Sequence, residues 1–321
     1  MASTPLRRAL LAALVAGSVA VPVSGAARSA AVPAPVPAVS AAWAPPRAVT
    51  PPALTEQYAV SRAAIRAAER TAAGHGDRWR AGMLRALADP ARQFLFFDGR
   101  DGGRAAEVYG DLSAAERIAV LVPGADTNLD KYGLLRGGAS RLARELGTRS
   151  AVIAWLGYRT PSTVSLAALT PGRADEAVPV LRAFVRGLGV ARPGARISLL
   201  CHSYGSVVCA RAASDLEVAD IVLYGSAGVA AGDVAALRTR ATVWAGRGGG
   251  DWIAGVPHVQ LRLPFVTVGF GVDPVSPEFG ARVFAAGDGG HSDYLKAGSP
   301  SLENIARIVR GQLPPVVRRG A

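Results

Sequence analysis

Lysine, cysteine, histidine and aromatic residues are all scarce in this 321-residue chain, and each scarcity removes a class of protein. Two cysteines, Cys201 and Cys209, cannot staple a disulfide-rich scaffold, so a hydrophobic core must hold the fold together. Half of the residues are hydrophobic, which is ample for one large α/β domain. The only lysines are Lys131 and Lys296, so the formal net charge of +12 is almost entirely arginine charge. Those arginines are scattered through helical segments, with no aromatic interleaving and no nucleic-acid motif, which argues against nucleic acid as a partner. Arginine in place of lysine beside abundant Ala and Gly is the mark of GC-rich coding, although a basic surface leaves anionic surfaces as candidate partners. No clustered His/Asp/Glu/Cys spacing marks a metal site, and no cofactor is expected. No internal repeat is visible, and no apolar run is long enough for a convincing transmembrane segment.

What is present begins with an export pattern. Arg7 and Arg8 form a basic n-region, Ala9 to Val21 an apolar h-region, and Ser24-Gly25-Ala26 a small-residue cleavage site. A cleaved signal peptide over 1–26 and a secreted, extracellular protein are therefore expected. The residues around the arginine pair fit a twin-arginine signal poorly, and no cysteine follows the h-region to carry a lipid anchor. Residues 27–53 are rich in Ala, Pro and Val and almost uncharged. Proline at that density interrupts backbone hydrogen bonding, so this stretch reads as an extended linker.

From there the apolar periodicity changes repeatedly. Helical spacing over 54–73 and 77–87 predicts an N-terminal helical extension covering 54–92. Strands are expected at 93–97, 104–109, 117–122, 150–155, 196–200, 220–224, 241–245 and 281–285, with helices at 131–146, 174–188, after Ser203, at 233–237 and at 302–310. Strands alternating with helices over 93–313 imply an α/β domain: a mostly parallel, doubly wound sheet flanked by helices.

Chemistry concentrates where the strand Ile197-Ser198-Leu199-Leu200 breaks into Cys201-His202-Ser203-Tyr204-Gly205, followed at once by a helix of small and β-branched residues. This is the setting of a G-x-S-x-G nucleophile elbow, in which a tight turn lifts a serine hydroxyl above the sheet edge at a helix N-terminus. Cysteine replaces the first glycine and is small enough for strand and helix to pass. An isolated S-x-G is better explained by a helix N-cap, so the remaining residues must decide. Cys209 shares a helical face with Gly205 and should lie near Cys201. The two cysteines are either a disulfide clamping the elbow or two small buried residues.

A serine nucleophile needs a base, and the base needs a partner that orients it. Four histidines are available. His75 lies in a helix connection, and His202 neighbours the serine but points elsewhere. His291 follows the last strand through Gly287-Asp288-Gly289-Gly290, at the carboxyl edge of the sheet; His258, in mid-loop, is the fallback. For the acid, Asp251 follows the strand at 241–245 through the glycine-rich turn 246–250, and Asp273 is the runner-up. The chain order Ser203, Asp251, His291 is that of the α/β hydrolases. The N–H groups of Tyr204 and Ala125, the latter after Pro123-Gly124, are the candidate oxyanion donors.

These residues also carry a resemblance. Val120-Leu121-Val122-Pro123-Gly124-Ala125-Asp126-Thr127-Asn128, Trp155-Leu156-Gly157-Tyr158, Cys201-His202-Ser203-Tyr204-Gly205-Ser206 and Tyr224-Gly225-Ser226-Ala227-Gly228 resemble the bacterial α/β hydrolases long catalogued as a domain of unknown function. So do Phe279-Gly280-Ala281 and His291-Ser292-Asp293-Tyr294. The similarity runs from about Leu112 to Val309 and is specific as a set. It implies the α/β-hydrolase fold and a Ser203, Asp251, His291 triad; the family commonly carries glycine where Cys201 stands.

The expected activity is that of a secreted serine esterase or lipase acting through an acyl-enzyme on a small-molecule or lipid ester. An acyltransferase or peptidase with the same triad is the nearest alternative, and a non-catalytic envelope-binding module on the same fold is the alternative of another class. The segment 252–279 carries Ile253, Val256, Val259, Leu261, Leu263, Phe265, Val266, Val268 and Phe270, which would either roof the site with apolar surface or fill core. The segment between Tyr224 and Asp233 is too short for a large cap domain.

Overall fold

The computed structural model describes residues 49–258, 260–262 and 267–315. The expected signal peptide, most of the expected linker, and Val259, Leu263, Phe265 and Val266 lie outside the described residues. None of the described helices is long and apolar enough to cross a membrane.

Two helices open the described chain, α1 (Pro51–Gly74) and α2 (Arg78–Leu87). The first starts earlier than its hydrophobic pattern suggested, inside the stretch read as linker. Thr50 caps it by accepting from Ala53 N–H, and Pro51 occupies a first-turn position where no N–H is needed. Val49 is already buried, its N–H bonded to the Ala191 carbonyl at 3.3 Å. Asp77 caps α2 through Arg80 N–H.

The domain that follows comprises β1 (Gln93–Asp98), β2 (Arg104–Tyr109), β3 (Arg117–Val122), α3 (Gly133–Leu146), β4 (Ser150–Leu156), α4 (Gly172–Ala191), β5 (Arg196–His202) and α5 (Gly205–Ala212). It continues with β6 (Asp220–Tyr224), β7 (Thr242–Gly246), a short hairpin of β8 (Leu261–Arg262) and β9 (Thr267–Val268), then β10 (Arg282–Val283) and α6 (Pro300–Val309). Eight strands form one sheet in the order β1-β2-β4-β3-β5-β6-β7-β10. β2 is antiparallel to both of its neighbours, and every pairing from β4 to β10 is parallel. The expected strand at 281–285 shortens to Arg282–Val283, which pairs with Trp244 and Ala245 at the sheet edge, and Phe284 N–H bonds the Ala245 carbonyl. The expected helix at 233–237 is a single 3-10 turn over Ala235–Leu237.

Period-two alternation divides the core into two layers. Val120, Ile153 and Leu199 face Leu181 and Phe184 of α4 and Val208 of α5. Leu121, Leu200 and Val222 face Leu142 of α3 and Leu302 and Ile305 of α6. Helix α1 spans both layers, since Leu54 and Tyr58 join the first and Ile65, Ala68 and Ala72 the second. It therefore passes over β1, the outermost strand, where Gln57 Nε2 donates to the Leu95 carbonyl at 2.5 Å. A helix laid on a sheet edge covers backbone groups that would otherwise invite pairing with another chain.

Candidate active site

Parallel pairing brings the carboxyl ends of β3, β5, β6 and β7 to one edge, and the site is built there. β5 ends at His202, and Ser203 takes φ 52°, a left-handed conformation that only a tight turn justifies for a residue with a Cβ. Its N–H bonds the Tyr224 carbonyl at the end of β6, and α5 begins two residues later. Gly205 makes the turn sterically allowed: a Cβ there would lie 2.5 Å from the Val122 carbonyl oxygen and 2.7 Å from that of Pro123. Cys201 and Cys209 are disulfide-bonded across the elbow with Cα atoms 6.4 Å apart, and both are fully buried.

After β7, the turn 246–250 brings Asp251 to the same edge. This turn packs directly against the loop that carries His291; a Cβ at Gly248 would sit 2.1 Å from the Gly289 carbonyl oxygen and one at Gly250 2.8 Å from that of Asp288. Glycines are therefore required for contact, not only for turning. His291 Nδ1 lies 2.9 and 3.0 Å from the two Asp251 carboxylate oxygens, and His291 Nε2 lies 3.0 Å from Ser203 Oγ. A carboxylate only accepts, so Nδ1 carries the proton and Nε2 is free to receive the serine's. Asp251 is buried and also accepts from Ile253 N–H at 2.9 Å. Ser203, Asp251 and His291 thus form one continuous hydrogen-bonded relay.

The loop after β3 closes the other side of the serine. A Cβ on Gly124 would lie 2.6 Å from Ser203 Cβ and 3.1 Å from its Oγ, so the Pro123-Gly124-Ala125 backbone runs directly past the hydroxyl. Buried Tyr158 holds this loop by donating to the Pro123 carbonyl at 2.7 Å. Tyr204 follows the serine as the residue before α5, where helical N–H groups lack intrahelical acceptors. Its side chain is anchored away from the serine: the hydroxyl donates to the Thr170 carbonyl and accepts from Ala174 N–H, and the ring meets Phe270 edge-on at 5.7 Å.

Two contributors escape a reading by sequence order. His202 donates its Nε2–H to the His291 carbonyl at 2.8 Å, and its ring packs among those of Tyr224, His291 and Tyr294. Burial, then the neighbouring His291, push its pKa down to about 4, so it is neutral near pH 7. Tyr294 donates to Asp251 Oδ2 at 2.5 Å and accepts from Gly248 N–H. Burial and the bond to Asp251 raise its phenol pKa above the ordinary tyrosine value, keeping the donor proton in place. Its position three residues after His291 was the one available signal.

The fallback residues form a separate cluster. His258 Nδ1 donates to the Ala227 carbonyl at 3.0 Å, its Nε2 lies 3.4 Å from Asp273, and Asp273 pairs with Arg247 at 2.5 Å. Neither reaches Ser203. In the segment 252–279, Ile253, Phe270 and Phe279 are buried while Trp252 faces solvent. His75 caps the C-terminal end of α1 on the surface.

With this edge laid out, comparison with known proteins places the chain. A family model described as alpha/beta hydrolase matches residues 98–261. The chain belongs to the alpha/beta hydrolase family. This hydrolase is 30% identical over 264 residues to an uncharacterized protein of Mycobacterium tuberculosis, Rv2079 in strain H37Rv and MT2140 in strain CDC 1551. The alignment covers 70% of this chain and 40% of that protein, so the hydrolase spans well under half the length of the curated relatives it matches. Among solved structures, esterase PE8 is similar at 18% identity and a TM-score of 0.46, over 65% of this chain and 99% of that one. XC6422 from Xanthomonas campestris, described as an a/b serine hydrolase without lid, is 18% identical with a TM-score of 0.43, over 69% and 93%. Carboxyl esterase 2 of the fungus Tuber melanosporum gives 12% and 0.45, over 70% and 89%.

Proposed function

We propose that this hydrolase is a secreted serine carboxylesterase, and that Ser203, His291 and Asp251 are its catalytic triad. The observation that carries the reading is the relay from Ser203 Oγ through His291 to the buried Asp251. Ser203 Oγ attacks the ester carbonyl while its proton passes to His291 Nε2. The N–H groups of Tyr204 and Ala125 hold the tetrahedral oxyanion. Collapse breaks the bond to the alcohol oxygen, which leaves with the proton from His291; water then releases the acid by the reverse sequence. Asp251 orients the imidazole and stabilises its charged form, with Tyr294 and Ile253 N–H fixing the carboxylate. No more than a short loop joins β6 to the 3-10 turn at Ala235, which suits an open site and small-molecule or lipid esters.

The export pattern at residues 1–26 and the bonded cysteine pair, at home in an oxidising compartment, support action outside the cell. The test is labelling of the protein without its signal peptide by a fluorophosphonate, followed by peptide mapping. Modification at Ser203, lost in Ser203→Ala and His291→Ala, is expected. An unlabelled wild-type protein would remove the enzyme reading and leave a binding module on this fold. Negligible hydrolysis together with efficient acyl transfer to an added alcohol would assign a transferase instead.

A further inference from the structure

Among the described residues, Trp252 is the exposed aromatic side chain that touches the relay. Its ring centre lies 4.8 Å from that of His291, with the planes tilted by 47°, yet 56% of the residue remains open to solvent. The other ring against His291 is His202, whose Nε2 is engaged by the His291 carbonyl and whose remaining ring neighbours are Tyr224 and Tyr294. Trp252 therefore forms the solvent-facing side of the imidazole.

Its orientation is built in. Asp251 and Ile253 on either side are buried, and the Asp251 carboxylate accepts Ile253 N–H, closing the single 3-10 turn from Trp252 to Gly255. With both neighbours pointing inward, Trp252 points out. The glycine turn before it packs its backbone closely against the His291 loop, Gly248 and Gly250 meeting the carbonyls of Gly289 and Asp288. More than half of this large residue stays in water beside a polar centre, leaving apolar surface that a second molecule can cover.

Resting on the esterase reading, we propose that Trp252 is the platform of the leaving-group subsite, and that the enzyme selects esters of alcohols bearing an aromatic ring. When the tetrahedral intermediate collapses, the carbon–oxygen bond to the alcohol breaks and that oxygen takes the proton from His291 Nε2. The alcohol oxygen must therefore stand at Nε2, and the group it carries extends over the exposed side of the imidazole, which is the indole. An offset or edge-on aromatic pair adds a modest, geometry-dependent attraction to the area it buries. The alcohol departs before deacylation, so the platform acts on acylation alone.

The experiment compares benzyl acetate with ethyl acetate, which share an acyl group, in the wild-type protein, Trp252→Ala and Trp252→Phe. Trp252→Ala should lose roughly tenfold in kcat/KM on the benzyl ester and less than about twofold on the ethyl ester. Trp252→Phe should recover most of the loss, and the hydrolysis rate of a preformed acetyl-enzyme should be the same in all three. Equal losses on both esters would overturn the proposal, because the ring would then serve only to hold His291. Unchanged rates on both would overturn it as well. Fluorophosphonate labelling keeps the two readings apart, since fluoride has no group to meet the indole. Normal labelling with no ester selectivity removes the subsite alone, and an unlabelled wild-type Ser203 removes the esterase beneath it.

Discussion

His202 Nε2 donates its proton to the backbone carbonyl of His291, so the residue before the candidate nucleophile ties down the loop that carries the candidate base. The bond requires a neutral imidazole in one tautomer or a charged one, and the surroundings favour the neutral form. Burial and the adjacent His291 lower the His202 pKa from 6.5 to about 4. Between those values the unfolded chain binds the proton and the folded chain does not, so stability rises with pH. The contribution is fully present above pH 6.5 and is lost as pH falls through 4, amounting to roughly 3 kcal/mol at most. His202→Gln keeps an N–H donor and removes the titration. Denaturant melts at pH 7.5 and pH 4.5 should show a markedly smaller acid loss for this variant; parallel losses would mean that His202 is not the titrating group.

Gly124 is constrained by the nucleophile and not by its own backbone. The Cβ of an alanine there would stand 2.6 Å from Ser203 Cβ. Either the loop after β3 retreats, taking the Ala125 N–H with it, or the serine turns. A displacement of about 1 Å is enough to cost two orders of magnitude in rate. Gly124→Ala should therefore lose at least about a hundredfold in kcat/KM on a short-chain ester, with a stability cost limited to about 1–3 kcal/mol of overpacking. Near-normal turnover would show that the loop lies farther from the reacting carbonyl than the oxyanion assignment requires.

Tyr294 acts through Asp251. Its hydroxyl gives the carboxylate a third donor, beside His291 Nδ1–H and Ile253 N–H, and accepts from Gly248 N–H in the glycine turn. Tyr294→Phe leaves a buried amide without a partner, which costs about 1–3 kcal/mol, and lets the carboxylate rotate. We expect kcat to fall roughly tenfold with KM unchanged, since the loss falls on the group that stabilises charge in the transition state. A raised KM with kcat intact would place the tyrosine in substrate binding instead.

Much of this arrangement was legible because the sequence signals agreed across levels. The apolar runs at 117–122, 150–155 and 196–200 alternate with helical patterns, and parallel pairing leaves no other edge for the loops that follow them. With four histidines in the chain, His291 stands out by its place after the last strand, and Asp251 by the glycines before it. The rest depends on side-chain direction, which order along the chain does not carry. The bracing bond of His202 depends on where the His291 backbone turns. In 252–279 the hydrophobic composition served both a roof and a core; the structure buries Ile253 and Phe270 and leaves Trp252 outside, a difference set by one 3-10 turn. Helix α1 showed an amphipathic face without showing that β1 was the edge it would cover.

The disulfide between Cys201 and Cys209 spans the turn in which Ser203 takes a left-handed backbone conformation. It joins the penultimate residue of β5 to the second turn of α5, enclosing Ser203 in a loop with a sequence separation of 8. Closing so short a loop in the unfolded chain is worth about 2.5 kcal/mol by the chain-entropy relation. For a domain of this size that corresponds to a melting temperature higher by roughly 5–10 °C. Both cysteines are fully buried, so a mild reductant will reach them slowly, and substitution is the cleaner test. Cys201→Gly combined with Cys209→Ala leaves small residues where strand and helix pass. This double variant should melt lower by that amount while its Ser203 still labels with a fluorophosphonate, because Gly205 and the Tyr224 carbonyl continue to define the turn. An unchanged melting temperature under non-reducing conditions would mean that packing alone holds the elbow; lost labelling at low temperature would mean that the bond sets the serine's position as well as its stability.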